Sequence, residues 1–293
     1  KTYLQKQIAE IWKKLLGIDN ISIDDNFFDL GGDSLLAMNL NIELLKLSKN
    51  VTYQDIFRYP TILELENKII TNNDDPFFEK IANLSDNLEP VLKNSVQAQK
   101  ITKFKPKGVI LTGATGFLGI HILEEFIKHS DCKIYCIVRD NKSFTSRARL
   151  VNKLHYYFGN KYDYLVDKRV FAISGNITEP GFGLNQEKLL NVANSIDLVI
   201  NCAANVFHYG NYSDFYNTNV KSVKYIIDFC TGFNKKLYHI STISVADSKL
   251  DLSYPSYDKI KDITFDESCL YVGQVIDNVY TRTKFEAETL VLD

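Results

Sequence analysis

Between Val109 and Gly119 the chain reads Val-Ile-Leu-Thr-Gly-Ala-Thr-Gly-Phe-Leu-Gly, and few folds accommodate that order. The apolar run at its start reads as a strand buried on both faces. Glycines at 113, 116 and 119 then allow a tight turn, and Ile120, Ile122, Leu123, Phe126 and Ile127 continue at helical spacing. A strand passing through a glycine-rich turn into an amphipathic helix suits a dinucleotide, whose pyrophosphate needs close backbone approach and the N–H groups of a helix N-terminus. Further β-rich runs follow at Ile134–Val138, Val170–Ser174, Leu198–Asn201 and Leu237–Ser241, separated by helical stretches. This alternation predicts a doubly wound, Rossmann-like α/β parallel sheet.

The first 72 residues have a different texture. Leu4, Ile8, Ile11, Trp12, Leu15 and Leu16 form one helical stripe, Leu35 to Leu45 a second, and Ile62, Leu65 and Ile69 a third, so a small all-α bundle is expected over residues 1–72. Residues 73–104 read as a linker carrying a short helix or two, and 105–293 as the α/β unit. At 293 residues the chain is long enough for both. Lys and Arg total 34 against 36 Asp and Glu, a net charge of −2, which gives no basic excess for nucleic acid. No apolar run reaches membrane-span length and no signal peptide opens the chain, so neither membrane nor secretion is expected. The first residue is Lys, which suggests a piece of something longer. The five cysteines (132, 136, 202, 230, 269) lack metal-ligand spacing; free thiols in a cytoplasmic protein and no metal site are expected.

In Phe27-Phe28-Asp29-Leu30-Gly31-Gly32-Asp33-Ser34-Leu35, a serine follows a glycine pair at the start of an apolar helical run. Ser34 suits a helix N-cap, which alone explains a serine there. The whole segment nevertheless resembles the modification site of peptidyl and acyl carrier domains, and Ile56-Phe57-Arg58-Tyr59-Pro60-Thr61-Ile62 resembles their third-helix signature. The resemblance implies a four-helix carrier whose Ser34 bears a 4′-phosphopantetheine arm, installed by a phosphopantetheinyl transferase. The arm would hold an acyl or peptidyl thioester.

The Gly-x-x-Gly-x-x-Gly turn resembles extended short-chain dehydrogenases, and the wider pattern resembles thioester reductase domains. Cofactor contacts are then implied from Thr112, Gly113, Thr115, Gly116, Phe117, Leu118 and Gly119. The second strand ends at Arg139-Asp140; an arginine accommodates the 2′-phosphate of NADPH, whereas an acid grips the ribose of NADH. Arg149 resembles the family's second phosphate-binding arginine, so NADPH is favoured with Asp140 dissenting. Asn176-Ile177 matches the adenine-contacting turn, although the family usually places Asp at 176. Ala203 and Ala204 resemble the wall beside the cofactor, and Cys202 reads as a small wall residue rather than a nucleophile.

Tyr280 and Lys284 lie four apart, on one face of an expected helix after the fifth strand. Tyr157/Lys161, Tyr164/Lys168 and Tyr257/Lys261 share that spacing, but two precede the fifth strand and one sits in a Pro- and charge-rich loop. The run from Phe265 to Glu288 resembles the thioester reductases. By that resemblance Thr242, with Ser241 as substitute, holds the substrate carbonyl, Tyr280 donates to it, and Lys284 holds the nicotinamide ribose. His239 and His208 read as packing or surface residues.

Together the halves imply the terminal carrier–reductase unit of a non-ribosomal peptide synthetase, working beside upstream condensation and adenylation domains. It would reduce a carrier-bound thioester with NADPH, releasing an aldehyde and, after a second hydride, an alcohol. The carrier–reductase part of a carboxylic acid or aminoadipate reductase is the alternative. A non-catalytic carrier and docking module, or a sugar-nucleotide epimerase or dehydratase, represents other classes. The family's C-terminal substrate subdomain is expected to be missing after Asp293, which predicts weak NADPH binding and poor turnover by this stretch alone.

Overall fold

A computed structural model describes residues 2–47, 51–71, 104–207, 211–246, 270–271, 274, 276 and 278–292. The expected linker and the segment containing Tyr257, Lys261 and Cys269 lie outside these residues, as does His208.

The N-terminal unit contains helices α1 (Tyr3–Leu16), α2 (Ser34–Leu45), α3 (Tyr53–Arg58) and α4 (Ile62–Thr71). Reciprocal capping boxes, Thr2 with Gln5 and Thr52 with Asp55, satisfy the first N–H groups of α1 and α3. The apolar stripes converge on a core that includes Ile8, Trp12, Phe27, Leu40, Leu44, Ile56 and Leu65. Trp12 and Phe27 meet edge to face at its centre, with centroids 5.0 Å apart. Glu66, buried between α4 and α1, accepts from Thr2 and Gln5 and ties the two helices together.

The second unit holds five parallel strands: β1 (Gly108–Thr112), β2 (Lys133–Val138), β3 (Val170–Ser174), β4 (Leu198–Asn201) and β5 (Lys236–His239). Their order is β3-β2-β1-β4-β5. The order reverses between β1 and β4, which opens a crevice at the carboxyl edge where ligands of such sheets bind. Helices α5 (Phe117–His129), α6 (Ser146–Phe158), α7 (Gln186–Ser195), α8 (Tyr212–Phe215), α9 (Ser222–Gly232) and α10 (Val279–Leu292) accompany the strands. A π-helical stretch, Tyr216–Lys221, joins α8 to α9. Apolar side chains fill both faces of the sheet.

Two expectations change. The fifth strand was read as running to Ser241, but it ends at His239 because β4, its partner, ends at Asn201. Only the Ile240 N–H still reaches back to the Asn201 carbonyl, at 3.0 Å. Residues 240–242 are therefore a strand-end loop. The N-cap of α2 is Asp33, whose carboxylate accepts from the Leu36 N–H at 2.9 Å. Ser34 is the first helical residue, so capping no longer accounts for it.

Candidate active site

Only glycine fits the turn after β1. Gly113 has φ +71°, and a Cβ there would meet the backbone of Cys202 and Ala203 within 3 Å. A Cβ on Gly119 would overlap the Gly113 carbonyl, so α5 packs directly on the turn. Gly116 is the N-cap of α5 and offers no side chain, which leaves the helix's first N–H groups directed to the exposed side of the turn. This cradle fits a dinucleotide pyrophosphate. Thr112 is fully buried beneath it and accepts from the Ala203 N–H, so the β4 end is fastened against the turn.

At the end of β2, Arg139 is exposed and Arg149, from α6, donates to its carbonyl at 2.7 Å. Burial holds the Arg149 guanidinium below its ordinary pKa, partly offset by Asp29 and Asp140. Asp140 itself accepts from Ser174 and from the Ser146 N–H, which lower its pKa and occupy its carboxylate in closing the β2–α6 loop. Asn176 is likewise spent locally: its oxygen takes the Thr178 amide and hydroxyl, and its amide donates to Glu179. Ile177 packs against the core below.

A polar chain crosses the carboxyl edge of β1, β4 and β5. Thr112 donates to Asn201 at 2.5 Å, the Asn201 amide lies 3.0 Å from His239 Nδ1, and His239 Nε2 lies 3.3 Å from Lys284 Nζ. Lys284 also donates to the Ile240 carbonyl at 2.6 Å. Burial lowers the Lys284 pKa to about 8, against the raising effects of Glu288 and Cys202. Burial, then the Lys284 charge, lowers His239 to about 3, which keeps the ring neutral. His239, expected to be a packing or surface residue, packs part-buried between Asn201 of β4 and Lys284. Its signal was faint, a strand-end residue whose partner lies 45 positions onward.

Tyr280 sits half-buried in the first turn of α10, which Asn278 caps through the Tyr280 and Thr281 amides. Lys284 follows one turn later on the same face. Thr242 accepts from the Ser244 N–H in the loop after β5. Ser241 donates to Glu288 at 2.7 Å, which ties its hydroxyl to α10. Burial raises the Cys202 pKa to about 11, which suits a wall and not a nucleophile.

The helical unit leans on this same edge. Lys153 of α6, 4% exposed, donates to the Gly31 carbonyl at 2.6 Å and pairs with Asp33 at 3.3 Å. Tyr157 donates to the same carboxylate at 3.0 Å. The Asn141 amide reaches the Asp29 carbonyl, and the Ser143 hydroxyl reaches the Asp25 carboxylate. Phe207, just beyond β4, packs against both Phe28 and Phe57 with centroids 4.8 Å away. The residue preceding Ser34 is thus held by the α/β unit.

Residues 111–293 match the family model described as "Male sterility protein", an NAD-binding family, and residues 6–69 match the phosphopantetheine attachment site. The chain belongs to this NAD-binding family, with a carrier domain ahead of it. It is 34% identical to a thiolation-reductase di-domain from an archaeal non-ribosomal peptide synthetase, at TM-score 0.56, over 100% of this chain and 60% of that one. It is 29% identical to the L-2-aminoadipate reductase large subunit of Eremothecium gossypii, over 98% of this chain and 22% of the relative. It is also 29% identical to the non-ribosomal peptide synthetase asaC of Aspergillus flavus, over 97% of this chain and 28% of that protein. The chain therefore spans about a quarter of the length of these two relatives. The carrier–reductase architecture and the expected parallel sheet both stand. Among the described residues no helix is long and apolar enough to cross a membrane.

Proposed function

We propose that this chain is the carrier and the cofactor-binding part of a reductase that releases an acyl or peptidyl group from its carrier by NADPH-dependent reduction of the thioester. Residues 1–72 serve as the carrier, 73–104 as the linker and 105–293 as the NADPH-binding part. The observation that carries the reading is the contact at Asp33: the turn bearing the attachment serine is held by the same domain that supplies the dinucleotide cradle. A carrier raises the local concentration of its tethered substrate, which is useful only where a catalytic site lies within the arm's reach.

NADPH supplies the hydride when bound, in the cradle of Gly113, Gly116 and Gly119 with Arg139 and Arg149 at its phosphorylated end. Asp140 is committed to the loop behind it, which favours the phosphorylated cofactor over NADH. Tyr280 donates a proton toward the oxygen that gains negative charge at the thioester carbonyl, and Thr242 orients that oxygen. Lys284, held by Ile240 and His239, places its charge one turn from Tyr280 and toward the nicotinamide ribose. Loss of the thiol then frees an aldehyde. Upstream condensation and adenylation domains supply the loaded carrier.

Incubation with coenzyme A and a phosphopantetheinyl transferase should add one phosphopantetheine to the wild-type mass and none to Ser34→Ala. The loaded full-length protein should then consume NADPH in step with aldehyde release. Mass gain without NADPH consumption would leave a docking module; no mass gain would remove the carrier reading.

A further inference from the structure

The two arginines assigned to the 2′-phosphate already face an anion, and it comes from the carrier. Asp29 Oδ1 lies 3.9 Å from Arg139 Nη2. The Asp29 charge also acts on Arg149, whose side chain lines a narrow gap against Leu30 and Gly31 of the carrier. The Arg149 bond to the Arg139 carbonyl keeps the two residues together, so the carboxylate beside Arg139 also acts through space on Arg149. The Asp29 side chain has few other duties: it is 47% exposed, while its backbone carbonyl is separately held by Asn141.

The geometry points to competition between Asp29 of the carrier and the 2′-phosphate of NADPH for Arg139 and Arg149, with Asp29 setting how strongly the site prefers a phosphorylated dinucleotide. This rests on the NADPH reading above. A phosphate monoester carries nearly two negative charges at neutral pH and three acceptor oxygens, against one charge on a carboxylate. It therefore wins the arginines, and Asp29 is released. NADH has no group to make that exchange. Because coupling between two binding events is reciprocal, the carrier contact weakens NADPH binding by the same factor that NADPH weakens the contact. Lys153, Tyr157 and Asn141 remain to hold the carrier when Asp29 lets go. Occupancy by the correct cofactor thus loosens one end of the carrier while the serine-bearing end stays held.

The test uses adenosine 2′,5′-bisphosphate, which carries the distinguishing phosphate, with AMP as control, titrated calorimetrically into the full chain at low salt. Asp29→Asn is expected to tighten the bisphosphate roughly two- to fivefold, the range of an exposed ion pair, and to leave AMP unchanged. Arg139→Ala is expected to weaken the bisphosphate and to abolish the effect of Asp29→Asn in the double variant. In wild type, the bisphosphate but not AMP should speed amide exchange over residues 25–30. If Arg139→Ala weakens the bisphosphate while Asp29→Asn changes neither affinity, the competition is wrong and the NADPH reading survives. If no variant distinguishes bisphosphate from AMP, the NADPH reading falls and the competition falls with it.

Discussion

Lys284 is a charge in a place charges avoid, 2% exposed and pushed down to about 8. It stays there because the Ile240 carbonyl accepts one of its protons, with His239 Nε2 3.3 Å away, which lets it stand one turn from Tyr280 with its charge incompletely solvated. Tyr280→Phe keeps the ring and removes the proton donor. Turnover of a loaded carrier is expected to fall about 10²- to 10⁴-fold, with NADPH affinity in a binding titration unchanged. His239 has its own pH signature. Its folded pKa of about 3 lies below the ordinary value of 6.5, so the unfolded chain binds the extra proton as pH drops between them. Stability is then lost on acidification through that window, by up to about 1.4 kcal/mol per pH unit for one proton. Urea titrations between pH 6.5 and 5 should show a shallower pH dependence in His239→Gln than in wild type; parallel slopes would mean that His239 does not resist protonation. None of this was visible in His239-Ile240-Ser241 as a sequence, because the burial that matters comes from α10.

At the scale of elements, legibility followed locality. The strands were readable because each is a short β-rich run that pairs with neighbours of the same kind, and the glycine turn because its spacing carries its own geometry. The end of β5 was not readable, since the length of β4 decides it. The start of α2 was misassigned by one residue: Asp33 and Ser34 are both good capping types, and only the backbone settles which one caps. That position gives a separable prediction. Asp33→Ala removes the acceptor for the Leu36 N–H, at a cost of about 1 kcal/mol to the helix start, whereas Asp33→Asn preserves it. Amide exchange at Leu36 should accelerate in the first variant and hold in the second. Both should weaken the hold of Lys153, which a closely matched loss of carrier contact in the two variants would reveal.

For the whole molecule, the contacts between the units were beyond sequence reasoning. Each joins residues more than a hundred positions apart, and each side chain involved passes for ordinary surface. Tyr157 is the sharpest case: set aside as a chance partner of Lys161, it proves to be a ligand of Asp33. The two cores are separate clusters, and among the described residues Phe144 and Phe207 of the α/β unit pack on the carrier's apolar side chains. A seam of hydrogen bonds and a few aromatic contacts between separate cores couples them weakly. The only tryptophan, Trp12, is buried in the carrier. Its fluorescence should report carrier unfolding alone, and its denaturation midpoint should differ from that of the far-ultraviolet signal, to which both units contribute. Coincident midpoints would mean a single cooperative molecule.

Phe207 adds a practical corollary. It packs against the stacked pair of Phe28 and Phe57, while the chain just before it, at Cys202 and Ala203, forms the wall against the glycine turn. Anyone splicing a foreign carrier onto this reductase would be changing a socket as well as a tether. A graft whose carrier lacks aromatic rings at those two places would leave Phe207 bare, and the hybrid would be mismatched however well its linker length were chosen.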